Sequence, residues 1–316
     1  MIDSKCFTAE WQAQKRVELG GCDPVLLEKT LLAFALLDAL AGRGLEFIFK
    51  GGTSLILRLP RIRRLSVDAD IICDQPDSEL DRLLAEVSQS RLFTRMAEDE
   101  RGSDRVPSRR HFKFFYVPLD PKNPAPFVLL GDKLTAFGPN TTGIPLNEHY
   151  SMQFMKQVFD IGELFDATSD LPEVRTAYES IFAAENRYRG RRFSSEQALE
   201  DAFSTAHCMA QVGLLGAPTD GRCELIELGR RQLESHLVGA KFRREEMKTA
   251  AAKAALLTQA IYAEVGLSSL RYSEDRLSFL GTFAFPDEFA AIRRLKAIPE
   301  AMWYWSMAAR IRAGRH

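Results

Sequence analysis

The sequence predicts an α/β (α+β) N-terminal half followed by an all-helical C-terminal half. Short runs rich in β-branched and aromatic residues, "LEFIF" (45–49), "LSVDADIIC" (65–73) and "HFKFFYVPL" (111–119), all lie in the first half and read as strands. Segments with apolar residues at helical spacing alternate with them. After about residue 170 the strand signals stop and long helix-like segments follow. The 316 residues are enough for one large domain or two medium ones. The expected domains are 1–168 and 169–316.

The first element is a helix capped by Asp23, with Pro24 in its first turn and Gly42 and Gly44 stopping it. Its interior of Leu, Ala and Phe marks it as buried. Strand 45–49 follows, then the turn Gly51-Gly52, and a short helix over 53–59 ended by Pro60. Arg61 to Arg64 form a basic connection into the second strand, 65–73. Leu80, Leu83, Leu84 and Val87 give residues 78–98 helical spacing. The charged stretch 98–110 reads as a loop before the third strand, 111–119. A Pro-rich turn (118–126) and "FVLL" (127–130) lead to a helix over about 132–137, a loop over 138–145, and a helix over about 150–166. Ser194 and Gln197 have capping-box spacing at the head of "SSEQALEDAFSTAHCMAQVGLL". Segments 223–238, 243–265 and 285–312 are helix-like as well.

A net charge of −1 gives no overall attraction to nucleic acid or to an anionic membrane, so any nucleic-acid site must come from local clustering of Arg and Lys. The five cysteines form no C-x-x-C pair, which points to reduced thiols and a cytoplasmic setting. The N-terminus lacks the basic-then-apolar order of a signal peptide. The most apolar stretch, 31–41, is interrupted by Asp38 and too short to span a bilayer, so no membrane association is expected.

Chemistry concentrates between residues 49 and 70. In a strand, Ser66, Asp68 and Asp70 would share a face, with Val67, Ala69 and Ile71 on the other. Two carboxylates on one face repel unless water or a cation relieves them, and Mg²⁺ typically takes one or two carboxylates plus phosphate oxygens and water. The plainer alternative is a solvated strand edge. Gly51-Gly52 follows a strand and opens a helix, the layout of a phosphate-cradling turn. Glycine lets backbone amides approach an anion, and a helix N-terminus adds partial positive charge. Thr53 and Ser54 add hydroxyls and Lys50 a cation. Neither a Walker loop nor a dinucleotide fingerprint is present. An anion cradle beside a metal mount suits a nucleoside triphosphate with Mg²⁺ (or Mn²⁺).

"FKGGTSL" (49–55), an Arg-containing connection and "LSVDAD" (65–70) together resemble the AbiEii-like nucleotidyltransferase toxins, which include the MenT group and belong to the DNA polymerase β-type nucleotidyltransferase superfamily. Lys50, Gly51, Gly52, Thr53, Leu55, Ser66, Asp68 and Asp70 fit the family pattern, and Arg64 fits its Arg position. Val67 replaces a usual acid. Lys133 heads a matching "KLTAF", and Lys156 and Asp160 keep part of a later motif in which Gln157 replaces an acid. The resemblance covers roughly 24–166. It implies a nucleotidyltransferase-type mixed sheet with flanking helices, followed by a C-terminal helical bundle. It also implies Asp68 and Asp70 as metal ligands, the turn with Thr53 and Ser54 on the β- and γ-phosphates, and Lys50 and Lys133 neutralising the triphosphate. Asp160 would orient Lys133 or the acceptor hydroxyl. The plainer alternatives are a solvated Lys133 and an Asp160 paired with Lys156 on its own helix. Asp120 and Asp160 are the candidates for a third carboxylate. In some members the serine equivalent to Ser66 carries a blocking modification.

The implied activity is toxin chemistry: transfer of a nucleotide from NTP to an acceptor, expected to be the 3′ end of tRNA, with translation blocked and a cognate antitoxin as partner. The rivals are transfer to a protein or small molecule, and an NTP-binding regulator with little turnover. RNA contacts could come from Arg61, Arg63 and Arg64, or from Arg187, Arg189, Arg191 and Arg192 in "NRYRGRRF" (186–193), where Tyr188 and Phe193 interleave with the arginines. An equally good reading of 186–193 is a charged loop between helices. Trp303 and Trp305 read as core packing, and the histidines have no metal-ligand spacing.

Overall fold

A computed structural model describes residues 3–89, 96–98, 112–113, 125–168, 171–238, 241–265, 270–276 and 283–314. The chain is mostly helical, 65%, with strands confined to short antiparallel pairs among the described residues. It divides into two compact units, Met1–Ala125 with Ser235–Lys241, and Pro126–Glu234 with Phe242–His316.

The first unit contains α1 (Ala9–Glu18), α2 (Pro24–Ala41), β1 (Ile48–Lys50), α3 (Gly51–Arg58), β2 (Asp70–Ile72), α4 (Asp77–Ser88), β3 (Ala97–Glu98) and β4 (Phe112–Lys113). The Asp23 side chain accepts the Leu26 amide at 2.8 Å, Pro24 opens α2 and Gly42 closes it, as the sequence predicts. β1 pairs antiparallel with β2 in the register Ile48–Ile72, Phe49–Ile71, Lys50–Asp70, and β3 pairs with β4. Phe49 is fully buried against Phe34, Leu37 and Leu40 of α2 and Leu83, Leu84 and Val87 of α4. Its ring meets that of Phe34 edge-to-face at 6.3 Å. Burying a side chain of that size contributes about 2–3 kcal/mol, and strand alternation then turns Ile48 and Lys50 away from the core.

Segment 235–241 returns to this unit from far along the chain. The Leu65 amide donates to the His236 carbonyl and the Val238 amide to the Arg63 carbonyl, both at 2.8 Å, making an isolated antiparallel bridge between Arg64 and Leu237. Leu65 and Val238 share a small core with Cys22, Leu27 and Leu31.

The second unit contains α5 (Pro126–Thr135), α6 (Ser151–Ala167), α7 (Leu171–Tyr188), α8 (Ser195–Gln211), α9 (Arg222–Leu233), α10 (Arg244–Ala263), a 3-10 helix (Asp287–Leu295) and α11 (Pro299–Arg312). α10 packs on α6, α8 and α11, and α5 packs on α6 and α7. A Cβ on Gly131 of α5 would stand 2.8 Å from the Tyr178 nitrogen of α7, so only glycine permits that approach. The capping box at α8 forms as expected, with Ser194 accepting the Gln197 amide at 3.2 Å and Gln197 accepting the Ser194 amide at 2.8 Å.

Several elements differ from the sequence expectation. The strand expected over 65–73 shrinks to Asp70–Ile72, because its earlier backbone groups have other partners: Leu65 bonds His236, and the Ser66 and Asp68 carbonyls accept side-chain hydroxyls of Thr30 and Thr53. α4 stops at Ser88, and Ala97–Glu98, expected at a helix end, is a strand. Of the strand over 111–119, only Phe112–Lys113 lies among the described residues. The helix expected from 132 starts at Pro126, a residue well suited to a first helical position. Segment 285–312 splits at Pro299 into a 3-10 helix and α11. α1 and α7 have no counterpart in the sequence reading.

Candidate functional site

In the first unit, β1 runs directly into α3 through Lys50, which occupies the N-cap position without a side-chain capping bond. The amides at this helix end are the groups an anion would meet. Gly51 has φ +76°, a conformation that L side chains rarely adopt, and a Cβ there would stand 1.9 Å from Asp70 Oδ2 and 2.8 Å from its Cγ. The Asp70 carboxylate therefore rests in the space that the glycine leaves open. A Cβ on Gly52 would stand 2.4 Å from Arg64 Nη2 and 2.9 Å from Ser66 Oγ. The two glycines thus admit the three polar groups of the second motif to the turn. Thr53 and Ser54 are fully buried: Thr53 Oγ1 donates to the Asp68 carbonyl at 2.5 Å and Ser54 Oγ to the Gly51 carbonyl at 2.7 Å. Both hydroxyls brace the turn.

Asp68 and Asp70 are both exposed, while Ala69 and Ile71 between and after them pack on the core. Alternation thus holds although only Asp70 belongs to β2 and Asp68 precedes it in extended chain. Asp70 lies across the ladder from Lys50. Two exposed carboxylates beside a helix N-terminus match what Mg²⁺ and a phosphate together require. Among the described residues no group of three or more His, Cys, Asp or Glu could hold a metal ion. Asp120, one candidate third carboxylate, lies outside the described residues.

Arg64 and Ser66 are nearly buried, at 6% and 5% exposure. Arg64 is placed against Gly52, with Nη1 donating to the Leu65 carbonyl at 3.2 Å, whereas Arg61 is exposed and Arg63 half-buried. Thr30 Oγ1 holds the Ser66 carbonyl at 2.8 Å. Thr30 escaped the sequence reading, although a lone hydroxyl within the apolar run "EKTLLAFALL" is a usable signal.

In the second unit, Lys133 of α5 meets Asp160 of α6, Nζ to Oδ2 at 3.3 Å, with the two side chains 5% and 1% exposed. This buried pair links two helices, and removing one partner of such a pair is costly. Arg187, Arg191 and Arg192 are exposed. Arg189 is half-buried and pairs with Glu185 at 2.6 Å. The turn that carries them is built on Asn186, whose side chain donates to the Phe193 carbonyl at 2.6 Å and accepts the Phe193 amide at 3.1 Å.

Cys6, Cys22, Cys73, Cys208 and Cys223 are free thiols. Among the described residues no helix is long and apolar enough to cross a membrane. Residues 35–120 match the family model described as nucleotidyl transferase AbiEii toxin, type IV TA system, a range that includes the glycine turn, Arg64, Ser66, Asp68 and Asp70. No curated protein and no solved structure matches the chain. Over residues 35–120 the chain is therefore similar to the family described as nucleotidyl transferase AbiEii toxin, the family that its "FKGGTSL" and "LSVDAD" motifs resemble.

Proposed function

We propose that this protein is a nucleotidyltransferase toxin that transfers a nucleotide from NTP to the 3′ end of an RNA acceptor, tRNA in this reading, and so blocks translation. One observation carries the proposal: the Gly51–Gly52 turn opens α3 and leaves room for the Asp70 carboxylate, so the groups proposed to cradle the anion and to mount the metal lie together. In the reaction, the acceptor hydroxyl loses its proton and forms a bond to the α-phosphorus, while the bond to pyrophosphate breaks. Such chemistry is mostly positioning and charge neutralisation.

The first-turn amides of α3 would hold the β- and γ-phosphates, and Lys50 would offset their charge. Thr53 fixes Asp68 through its carbonyl, and Arg64 and Ser66 pack behind Gly52. Asp68 and Asp70 would hold Mg²⁺ (or Mn²⁺), which would supply charge neutralisation to the phosphates and lower the pKa of an attacking hydroxyl. Assignment of Lys133 and Asp160 to the reaction and the nucleotidyltransferase-type mixed sheet rest on the resemblance alone, while the C-terminal helical bundle and the functional domains 1–168 and 169–316 rest on the loss of strand signals after about residue 170. A cytoplasmic setting and a cognate antitoxin complete the proposal.

The test is to incubate the protein with each labelled NTP, Mg²⁺ and total RNA. Label on RNA supports the proposal. Label on protein or on a small molecule replaces the acceptor, and NTP binding without transfer leaves a regulator.

A further inference from the structure

Segment Ser235–Lys241 belongs to the first unit, and its register places one residue against Arg64. The Leu65 amide donates to the His236 carbonyl and the Val238 amide to the Arg63 carbonyl, so the two bonds flank the facing residues Arg64 and Leu237 rather than joining them. In such a non-hydrogen-bonded antiparallel pair the Cα atoms stand about 4.5 Å apart and the side chains make their closest approach. Cross-strand partners share a face, and their neighbours take the other. Leu65 and Val238 accordingly enter the small core with Cys22, Leu27 and Leu31. Arg64 and Leu237 share the opposite face, and both are nearly buried, at 6% and 7% exposure.

The Arg64 side chain ends at the glycine turn. A Cβ on Gly52 would overlap Arg64 Nη2 and stand 3.1 Å from its Cζ, and the Gly52 amide belongs to the first turn of α3. Arginine has a long apolar stem, and holding its head at one point costs side-chain entropy unless the stem is confined. Leu237, facing Arg64 across the bridge, is the wall beside that stem. We infer that Leu237 is a positioning residue: it fixes the Arg64 guanidinium beside Gly52, where the positive charge adds to that of the helix end and strengthens binding of the triphosphate. A charge so far from solvent is screened less than a surface charge, and exposed Arg61 lacks this setting. The inference rests on the transferase reading, and it assigns Arg64 to the triphosphate rather than to RNA. Leu237 lies far outside residues 35–120, the range that matches the family model.

The experiment measures binding of ATP, CTP, GTP and UTP, each with Mg²⁺ and without RNA, by isothermal titration of the full chain. Leu237→Ala removes the wall, and Val238→Ala truncates the next residue, which faces the core instead. Every variant is compared at a temperature where circular dichroism shows it folded. Leu237→Ala is expected to weaken binding of whichever NTP wild type takes by about five- to tenfold, the size of a coupling between contacting residues. Leu237→Met, similar in volume, is expected to stay within about twofold of wild type. Val238→Ala is expected to lower the urea midpoint and leave NTP affinity unchanged. In an Arg64→Met background, Leu237→Ala is expected to weaken binding no further. Leu237→Val, a smaller truncation suited to extended chain, is expected to weaken binding about two- to threefold and makes the same comparison where Leu237→Ala does not fold. The inference is overturned if the Leu237 truncations bind NTP as wild type does, if Val238→Ala weakens binding as much, if the loss persists in the Arg64→Met background, or if wild type binds no NTP. Failure of the transferase reading is separate: it appears as absence of labelled transfer by a wild type whose NTP binding still depends on Leu237.

Discussion

Replacing Gly51 with alanine tests the turn at its tightest point. At φ +76° a side chain carries about 1–2 kcal/mol of backbone strain. The added Cβ would stand 1.9 Å from Asp70 Oδ2, 2.8 Å from Cγ and 3.0 Å from Cβ, so rotating the carboxylate alone does not relieve it. Overpacking of this kind costs about 1–3 kcal/mol. Gly51→Ala should then lower stability by about 2–5 kcal/mol in urea unfolding and, in protein still folded, abolish Mg²⁺-dependent NTP binding by moving Asp70. Gly52→Ala is the control. Gly52 lies within α3, where alanine gains about 1 kcal/mol over glycine, and its contacts are the far end of Arg64 at 2.4 Å and the Ser66 hydroxyl at 2.9 Å. Overpacking against buried Arg64 and Ser66 is partly offset by that gain, so Gly52→Ala should cost about 0–2 kcal/mol, less than Gly51→Ala. If Gly51→Ala is as stable as Gly52→Ala and keeps NTP affinity, the placement of Asp70 against the turn is refuted.

Thr53→Val preserves shape but removes the hydroxyl that holds the Asp68 carbonyl. It should cost about 0.5–1.5 kcal/mol in urea unfolding and weaken NTP–Mg²⁺ binding, which isothermal titration reads directly. Lys133→Met strips Asp160 of its partner across α5 and α6 and should cost about 3–5 kcal/mol. Adding Asp160→Leu should recover part of that loss, and additive losses in the double mutant would contradict the pairing. Burial holds the pKa of His207 below its usual value, with Glu288 opposing and Arg312 reinforcing the shift. The unfolded chain then binds the proton more readily, so His207 contributes stability that is full above about pH 6.5 and is lost as pH falls toward its folded pKa. The urea midpoint should drop below pH 6.5 in wild type and drop less in His207→Phe.

Features set by neighbouring residues were legible in the sequence. Asp23, Pro24 and Gly42 delimit α2 because capping is local. The glycine pair and the D-x-D were visible through spacing alone. α7 could have been found, since Val174, Tyr178 and Phe182 recur every four residues and are buried. The short β2 could not, because residues 65–69 bond to Thr30, Thr53 and His236, and His236 lies 171 positions beyond Leu65. Pairing of Lys133 with Asp160 is likewise a tertiary event between helices, and only the resemblance had linked the two residues. Within the basic connection only the resemblance singled out Arg64, and the fold separates it from exposed Arg61 by burying it against Gly52.

The most direct measurement of the glycine–aspartate site is transfer of label from an α-labelled NTP to RNA by wild type and by Asp68→Asn/Asp70→Asn, at equal folded concentration checked by circular dichroism. Both aspartates are exposed, so the double variant should remain folded. The expected result is Mg²⁺-dependent labelling of RNA by wild type and none above background by the variant. Full labelling by the variant would contradict the assignment of these carboxylates to the metal-bound triphosphate.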